Sequence, residues 1–186
     1  MQKETTLVPD FLFTTLGRTG QRVFRLGLSG RYRPGGAALR AGIEAGMNYL
    51  FWFYWDVQMV RVLREVLPAH REKFVVATGV GNFGNWVVRR GLESCLRRLH
   101  TDYIDVFHIF RVGAGRFTPR TLELLRRFQE EGKIKHIAIS THDRRYAGEL
   151  LRQSVLDVLM MRYSAAHRGA EQEIFPHLPL PQPGVV

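Results

Sequence analysis

Cysteine is nearly absent: Cys95 is the single one in 186 residues, so no internal disulfide can form and a reducing, cytoplasmic compartment is expected. Long apolar runs are also missing. The longest, Asn48–Trp55 and Val155–Met161, fall short of the roughly 20 residues of a membrane-spanning helix, so no membrane association is expected. The opening MQKETTLVPD lacks an apolar stretch behind a basic start and does not read as a secretory signal. Acidic residues are scarce, 17 Asp and Glu against 27 Lys and Arg, for a net charge of +10. The excess is scattered in pairs (Arg89–Arg90, Arg97–Arg98, Arg126–Arg127, Arg144–Arg145) without a basic run of about 5–8 residues or a nucleic-acid-binding motif. A solvated arginine-rich surface is expected, with no specific nucleic-acid partner. His136, His142, His167 and His177 show no metal-ligand spacing with Cys or acidic partners, and no metal is expected.

What is present is a 45% hydrophobic chain, enough for one core, read as one domain over residues 1–186. Phe11–Phe13 and Val23–Phe24 flank the turn Gly17-Arg18-Thr19-Gly20 and predict an N-terminal β-hairpin over about residues 11–24. From there to residue 186, strand-type and helix-type runs alternate. The predicted strands are Phe24–Leu28, Asn48–Phe53, Phe74–Thr78, Tyr103–Phe110, Ile134–Ser140 and Val155–Tyr163. Helices are predicted between them. Val88, Leu92, Cys95, Leu96 and Leu99 share one helical face; Met59, Leu63 and Leu67 recur every fourth residue, as do Leu39, Ile43 and Met47. Leu122, Leu125 and Phe128 follow the cap signal Thr118-Pro119, and Gly132 stops that helix.

Strands joined by helices run parallel, and FVVAT or IKHIAIS are apolar enough to be covered on both faces, which predicts an α/β fold. A doubly wound sheet and a (β/α)8 barrel share this string. Pro183-Gly184-Val185-Val186 reads as a turn and the start of a seventh strand, so about six complete strands are expected, in a chain truncated at its C-terminus.

LGRTGQRVFRLGLSG (16–30), AGIEAGMNYLF (41–51), KFVVATGVG (73–81), LRRLHTDYIDVFHIF (96–110), EEGKIKHIAIS (130–140) and MRYSAAHRGAE (161–171) together resemble the aldo-keto reductase family in order and spacing. The resemblance implies a (β/α)8 TIM-type barrel, here incomplete, whose bottom is closed by the hairpin. It further implies binding of NADPH (NADP) without a Rossmann motif and reduction of small-molecule aldehydes or ketones. The family's Tyr donates a proton and its Lys, Asp and His tune it. In this chain those positions fall on Asp56 for the Tyr, Gly79 for the Lys, Phe51 for the Asp and Phe110 for the His.

Surrogates are therefore sought nearby. Tyr54 with Asp56 is one candidate proton-donor pair; His108, two residues before Phe110, points into the barrel one layer deeper and is another. The alternatives are that the aromatic run 51–55 caps a pocket and that His108 is a core histidine satisfied by a buried partner. For the cofactor, the resemblance puts Ser140 and Thr141 at the nicotinamide carboxamide and Met160 where the family has a Gln. His142 could face the mouth. Weak or absent NADPH binding is expected, because the phosphate-holding loops of such barrels follow strands seven and eight.

A competing motif is Gly79-Val80-Gly81-Asn82-Phe83-Gly84, a G-x-G-x-x-G after a predicted strand, with Asp105 near the spacing of a ribose-binding acid. Its alternative is a flexible loop standing where the family has its lysine. Three functions follow in order: an oxidoreductase-like barrel without its usual tetrad and inactive alone; a catalytically dead binding or regulatory module of the same fold; and a Rossmann-type dinucleotide binder using Gly79–Gly84. Arg162, Arg168, His167 and Glu171 form a further polar group expected on a solvated loop.

Overall fold

The computed structural model describes residues 11–113 and 117–186; the opening segment MQKETTLVPD lies outside the described residues. A hairpin of β1 (Phe13–Thr15) and β2 (Arg22–Phe24) comes first. Then β3 (Leu28–Ser29), α1 (Gly36–Glu44), β4 (Tyr49–Phe51), α2 (Val57–His70), β5 (Val75–Gly81) and α3 (Asn85–Leu99) alternate. They are followed by β6 (Ile104–Phe110), α4 (Pro119–Glu130), β7 (Ile134–Thr141), α5 (Arg144–Arg152), β8 (Val158–Met161), α6 (Ala170–Glu173) and β9 (Gly184–Val185). Strands β3 to β9 pair in sequence order, all parallel, as a curled seven-stranded half-barrel.

Strand alternation sorts the side chains into two cores. Tyr49, Phe51, Val75, Ala77, Val106, Ala138 and Val158 face the concave interior, joined by Leu16 and Val23 from the hairpin. The opposite positions, such as Leu50, Val76, Phe107, Ile109, Ile139 and Leu159, meet the helices. From α2 come Met59, Leu63 and Leu67, and from α3 come Val88, Leu92, Cys95 and Leu99, the faces their periodicity predicts. Burial of each such leucine contributes about 2 kcal/mol. Thr118 caps α4 by accepting the Thr121 N–H at 3.2 Å, ahead of Pro119 in the first turn.

At the N-terminal ends of the strands, polar groups bind the elements together. Asn48 accepts the Phe24 N–H at 2.8 Å and donates to the Arg22 carbonyl at 2.9 Å, fixing the hairpin to β4. Asp105 accepts the Val76 N–H at 3.0 Å and pairs with Arg71 at 2.7 Å and Lys135 at 3.0 Å. Asp157 accepts the Ile137 N–H at 2.8 Å. Across the bottom, Arg18 donates to the Leu156 carbonyl and its N–H reaches the Gln182 carbonyl at 2.6 Å. Gly17 adopts φ +48°, and a Cβ there would stand 2.3 Å from the Gly184 nitrogen, so the hairpin turn packs backbone on backbone against β9.

Several boundaries depart from the sequence expectations. Phe24 belongs to the hairpin, and the first barrel strand is Leu28–Ser29 rather than Phe24–Leu28. Strand β8 is shorter than Val155–Tyr163, because Asp157 spends its carboxylate and carbonyl on Ile137 and Gly184 before the ladder begins. Helix α1 ends at Glu44, so Met47 lies beyond it, after Gly46 at φ +96°. The largest correction concerns the glycine motif. Gly79 and Gly81 are neither a phosphate-cradling turn nor a loose loop but ladder residues of β5, opposite His108 and Phe110. Asp105 sits at the other end of the sheet from Gly84 and is held by two cations, so the ribose-binding role is excluded with it. These placements remove the Rossmann reading.

Candidate active site

Register brings four residues into one layer at the C-terminal end of the sheet: Gly81 opposite Phe110, Phe110 opposite Ser140, and Ser140 opposite Met160. All four line a cavity of about 590 Å3. Its walls come from the loops just beyond the strands and include Phe53, Trp55, Phe83, Arg31, Arg111 and His142. This is the face on which parallel barrels gather their functional side chains. Phe53 stacks on Trp55 with centroids 5.1 Å apart and packs on Phe110 at 5.5 Å, while the Arg31 guanidinium lies 5.2 Å from the Phe53 ring. The predicted aromatic cap therefore divides by alternation: Phe51 and Phe53 face inward and Trp55 joins the mouth, while Trp52 is buried behind the sheet and donates to the Asp56 carbonyl at 3.1 Å.

One layer below lies His108, fully buried between Phe110, parallel at 6.1 Å, and Phe51, edge-on at 5.6 Å. Neither ring nitrogen makes a hydrogen bond of good geometry, the Ile139 backbone being the polar group beside the ring. Burial pushes its pKa down to about 4, with the nearby Ile139 backbone opposing, and the ring is neutral at pH 7. Its strand also sets the chemistry of the neighbouring position. A Cβ on Gly79 would stand 2.0 Å from the His108 carbonyl oxygen, so this backbone has no room for the lysine that the family resemblance expects there.

The other surrogates lie apart from the cavity. Tyr54 points over α3, its hydroxyl accepting from Ser94 at 3.3 Å and its ring lying under Arg98 at 4.7 Å. Asp56 is buried as the N-cap of α2, one oxygen accepting the Met59 N–H at 3.1 Å and the other unpartnered beside Gly30. Thr141 faces away from the cavity, its hydroxyl donating to the Val112 carbonyl and accepting the Asp143 N–H at 3.0 Å. Of the residues named from the sequence, Ser140, Met160 and His142 line the cavity, His108 underlies it, and Tyr54, Asp56 and Thr141 do not reach it.

Sequence reasoning misses Arg31 and Arg111. The available signal was positional, since each follows within two residues the end of a strand. Arg111 takes φ +54°, a left-handed conformation that costs a non-glycine residue about 1 kcal/mol. That kink buries Val112, whose N–H reaches the Ser140 carbonyl at 3.2 Å, and turns the arginine to the cavity mouth.

Residues 37–180 match the sequence profile of the Aldo/keto reductase family. Methylglyoxal reductase YeaE of Escherichia coli is 30% identical over 149 residues, spanning 75% of this chain and 51% of its own length. NADH-specific methylglyoxal reductase of Escherichia coli is 32% identical over 92 residues, spanning 48% of this chain and 28% of its own. Aldo-keto reductase AKR11C1 from Bacillus halodurans, solved in a holo form, superposes with TM-score 0.81 at 25% identity over 94% of this chain and 64% of its own. An aldo/keto reductase from Klebsiella pneumoniae, solved with NADP and acetate, has the same fold: TM-score 0.73 at 23% identity, covering 89% and 63%. The chain spans about half the length of YeaE, or less of the second relative.

Proposed function

Because the chain belongs to the aldo/keto reductase family, we propose that its cavity binds a reduced nicotinamide dinucleotide, NADPH, and a small carbonyl compound, with little reduction of the latter. The similarity to methylglyoxal reductases supports a compound with a 2-oxo group beside a second carbonyl as the substrate class. The Ser140 hydroxyl is suited to hold the nicotinamide carboxamide, and the half-buried Met160 to pack against the ring. When bound, the dinucleotide supplies the hydride; proton supply falls to the protein. Low turnover rests on one observation: the floor layer of Gly81, Phe110, Ser140 and Met160 contains one hydroxyl and no acid or imidazole, the His142 ring lining the cavity outside that layer. Of the surrogate acids, His108 is nearest that floor but neutral and roofed by Phe110, while Tyr54 and Asp56 are engaged elsewhere. A cytoplasmic setting accords with the lone buried thiol of Cys95.

Fluorescence titration with NADPH, together with turnover of methylglyoxal, tests this reading. Expected are weak but saturable binding, a further loss of about tenfold in affinity in Ser140→Ala, and turnover far below the ~10 per second typical of enzymes. Absence of NADPH binding, or turnover at ordinary enzyme rates, overturns it. Binding without turnover would favour a binding or regulatory role for the same fold.

A further inference from the structure

Several arginines of this chain are spent on acidic partners. Away from the mouth, Arg18 faces Asp157 at 3.8 Å, Arg40 holds Glu65 at 2.7 Å, Arg71 holds Asp105 at 2.7 Å, and Arg168 holds Glu171 at 2.8 Å. Arg31 and Arg111, both lining the cavity, form no ion pair among the described residues. Among the described residues the cavity lining contains no Asp or Glu. Asp56, in the depression beside Arg31, is capping α2 and pairs with neither arginine. Between these cations are the rings of Phe53, Trp55, Phe83 and Phe110. An aromatic pocket rimmed by uncompensated guanidinium groups, each able to grip a carboxylate through paired N–H donors, selects a flat ligand carrying an anion.

We propose that the carbonyl substrate of this site is a 2-oxo acid with a planar or aromatic body, its carboxylate held by Arg111 and Arg31. The assignment rests on the reading above that the cavity takes a carbonyl compound. It differs from it in demanding charge: a neutral dicarbonyl of the same shape should bind poorly.

Isothermal titration of the full chain with phenylglyoxylate, and with 1-phenylpropane-1,2-dione in which a methyl group replaces the carboxylate oxygen, separates the two. Phenylglyoxylate is expected to bind about tenfold to a hundredfold more tightly than the dione, and to lose that margin in Arg111→Gln and Arg31→Gln but not in the charge-matched surface variant Arg127→Gln. Equal affinity for the two ligands, or a margin that survives both mouth substitutions or falls equally in Arg127→Gln, overturns the proposal. NADPH titration of the same variants distinguishes the source of the anion. If Arg111→Gln and Arg31→Gln weaken NADPH while phenylglyoxylate is unaffected, the arginines serve the dinucleotide phosphates and the substrate assignment fails. If the carboxylate margin holds while no NADPH binds at all, the cofactor reading fails and this one stands.

Discussion

The two ends of the half-barrel treat charge in opposite ways. At the base, Asp105 is almost fully buried and satisfied by Arg71, Lys135 and the Val76 N–H, and Arg71 also lies 3.8 Å from the Tyr103 ring. At the mouth, Arg31 and Arg111 line an aromatic cavity without an acidic partner among the described residues, Arg111 in a strained conformation. Two strand ends a few residues apart on β6 thus carry an acid locked into a network and a cation left open. The difference follows from what each end does: charges at the base join strands whose backbone groups would otherwise be unsatisfied, whereas the guanidinium donors at the mouth hold no acid among the described residues.

This contrast can be broken most forcefully at the base. Asp105→Ala removes the shared acceptor, leaving a buried N–H unpaired and the largely buried Arg71 guanidinium without its counter-charge, though still bonded to Thr101, Phe74 and Tyr103, so unfolding free energy should fall by about 3 kcal/mol in urea denaturation. A change below about 1 kcal/mol would mean that the network is ornamental.

Between the ends, His108 offers a smaller test. Its folded pKa of about 4 lies below the ordinary value of 6.5, so the unfolded chain binds a proton that the folded chain refuses. Stability is therefore undiminished above 6.5 and falls as pH drops toward 4, with a slope approaching ~1.4 kcal/mol per pH unit. His108→Leu should lack this component and be about 1 kcal/mol more stable at pH 7, because a buried polar ring without a hydrogen bond of good geometry has been removed. Identical pH profiles for the two proteins, followed by thermal melts across that range, would contradict this account.

The smallest effect is expected at the mouth and has the opposite sign from that at the base. Arg111→Gly relieves the left-handed strain, so stability should be unchanged or rise by up to about 1 kcal/mol even as the cavity loses a cation. A loss of more than 1 kcal/mol would show that Arg111 belongs with the structural arginines after all.

How much of this was legible in the sequence depends on what each residue's role requires. Helix faces such as Val88, Leu92, Cys95 and Leu99 were legible because a period of 3.6 residues is a local property, and the cap at Thr118 because its signal spans three positions. Ordered blocks carried the family resemblance and with it two residues, Ser140 and Met160, that line the cavity. The behaviour of Gly79–Gly84 was not legible, because whether a glycine ends a strand or continues it depends on the partner strand, here the close approach of His108. Tyr54 and Thr141 were misplaced relative to the cavity for a related reason: adjacent residues in a strand or its extension alternate sides, and a shift of one position exchanges pocket for exterior. Arg111 was hidden because its orientation comes from a single unusual backbone angle that arginine itself does not encode.

The hairpin's hold on β9 has a kinetic consequence. Arg18 meets Gln182 and Leu156 across more than a hundred residues of intervening chain, whereas most of the sheet joins strands separated by one helix. Closing so long a loop costs entropy before any contact rewards it, so the seam between the hairpin and β9 should form after the successive strand–helix units have assembled. With few contacts to hold it, the same seam should be the first to open in native-state hydrogen exchange, giving the amides of Arg18 and Gly184 weaker protection than those of β6 and β7.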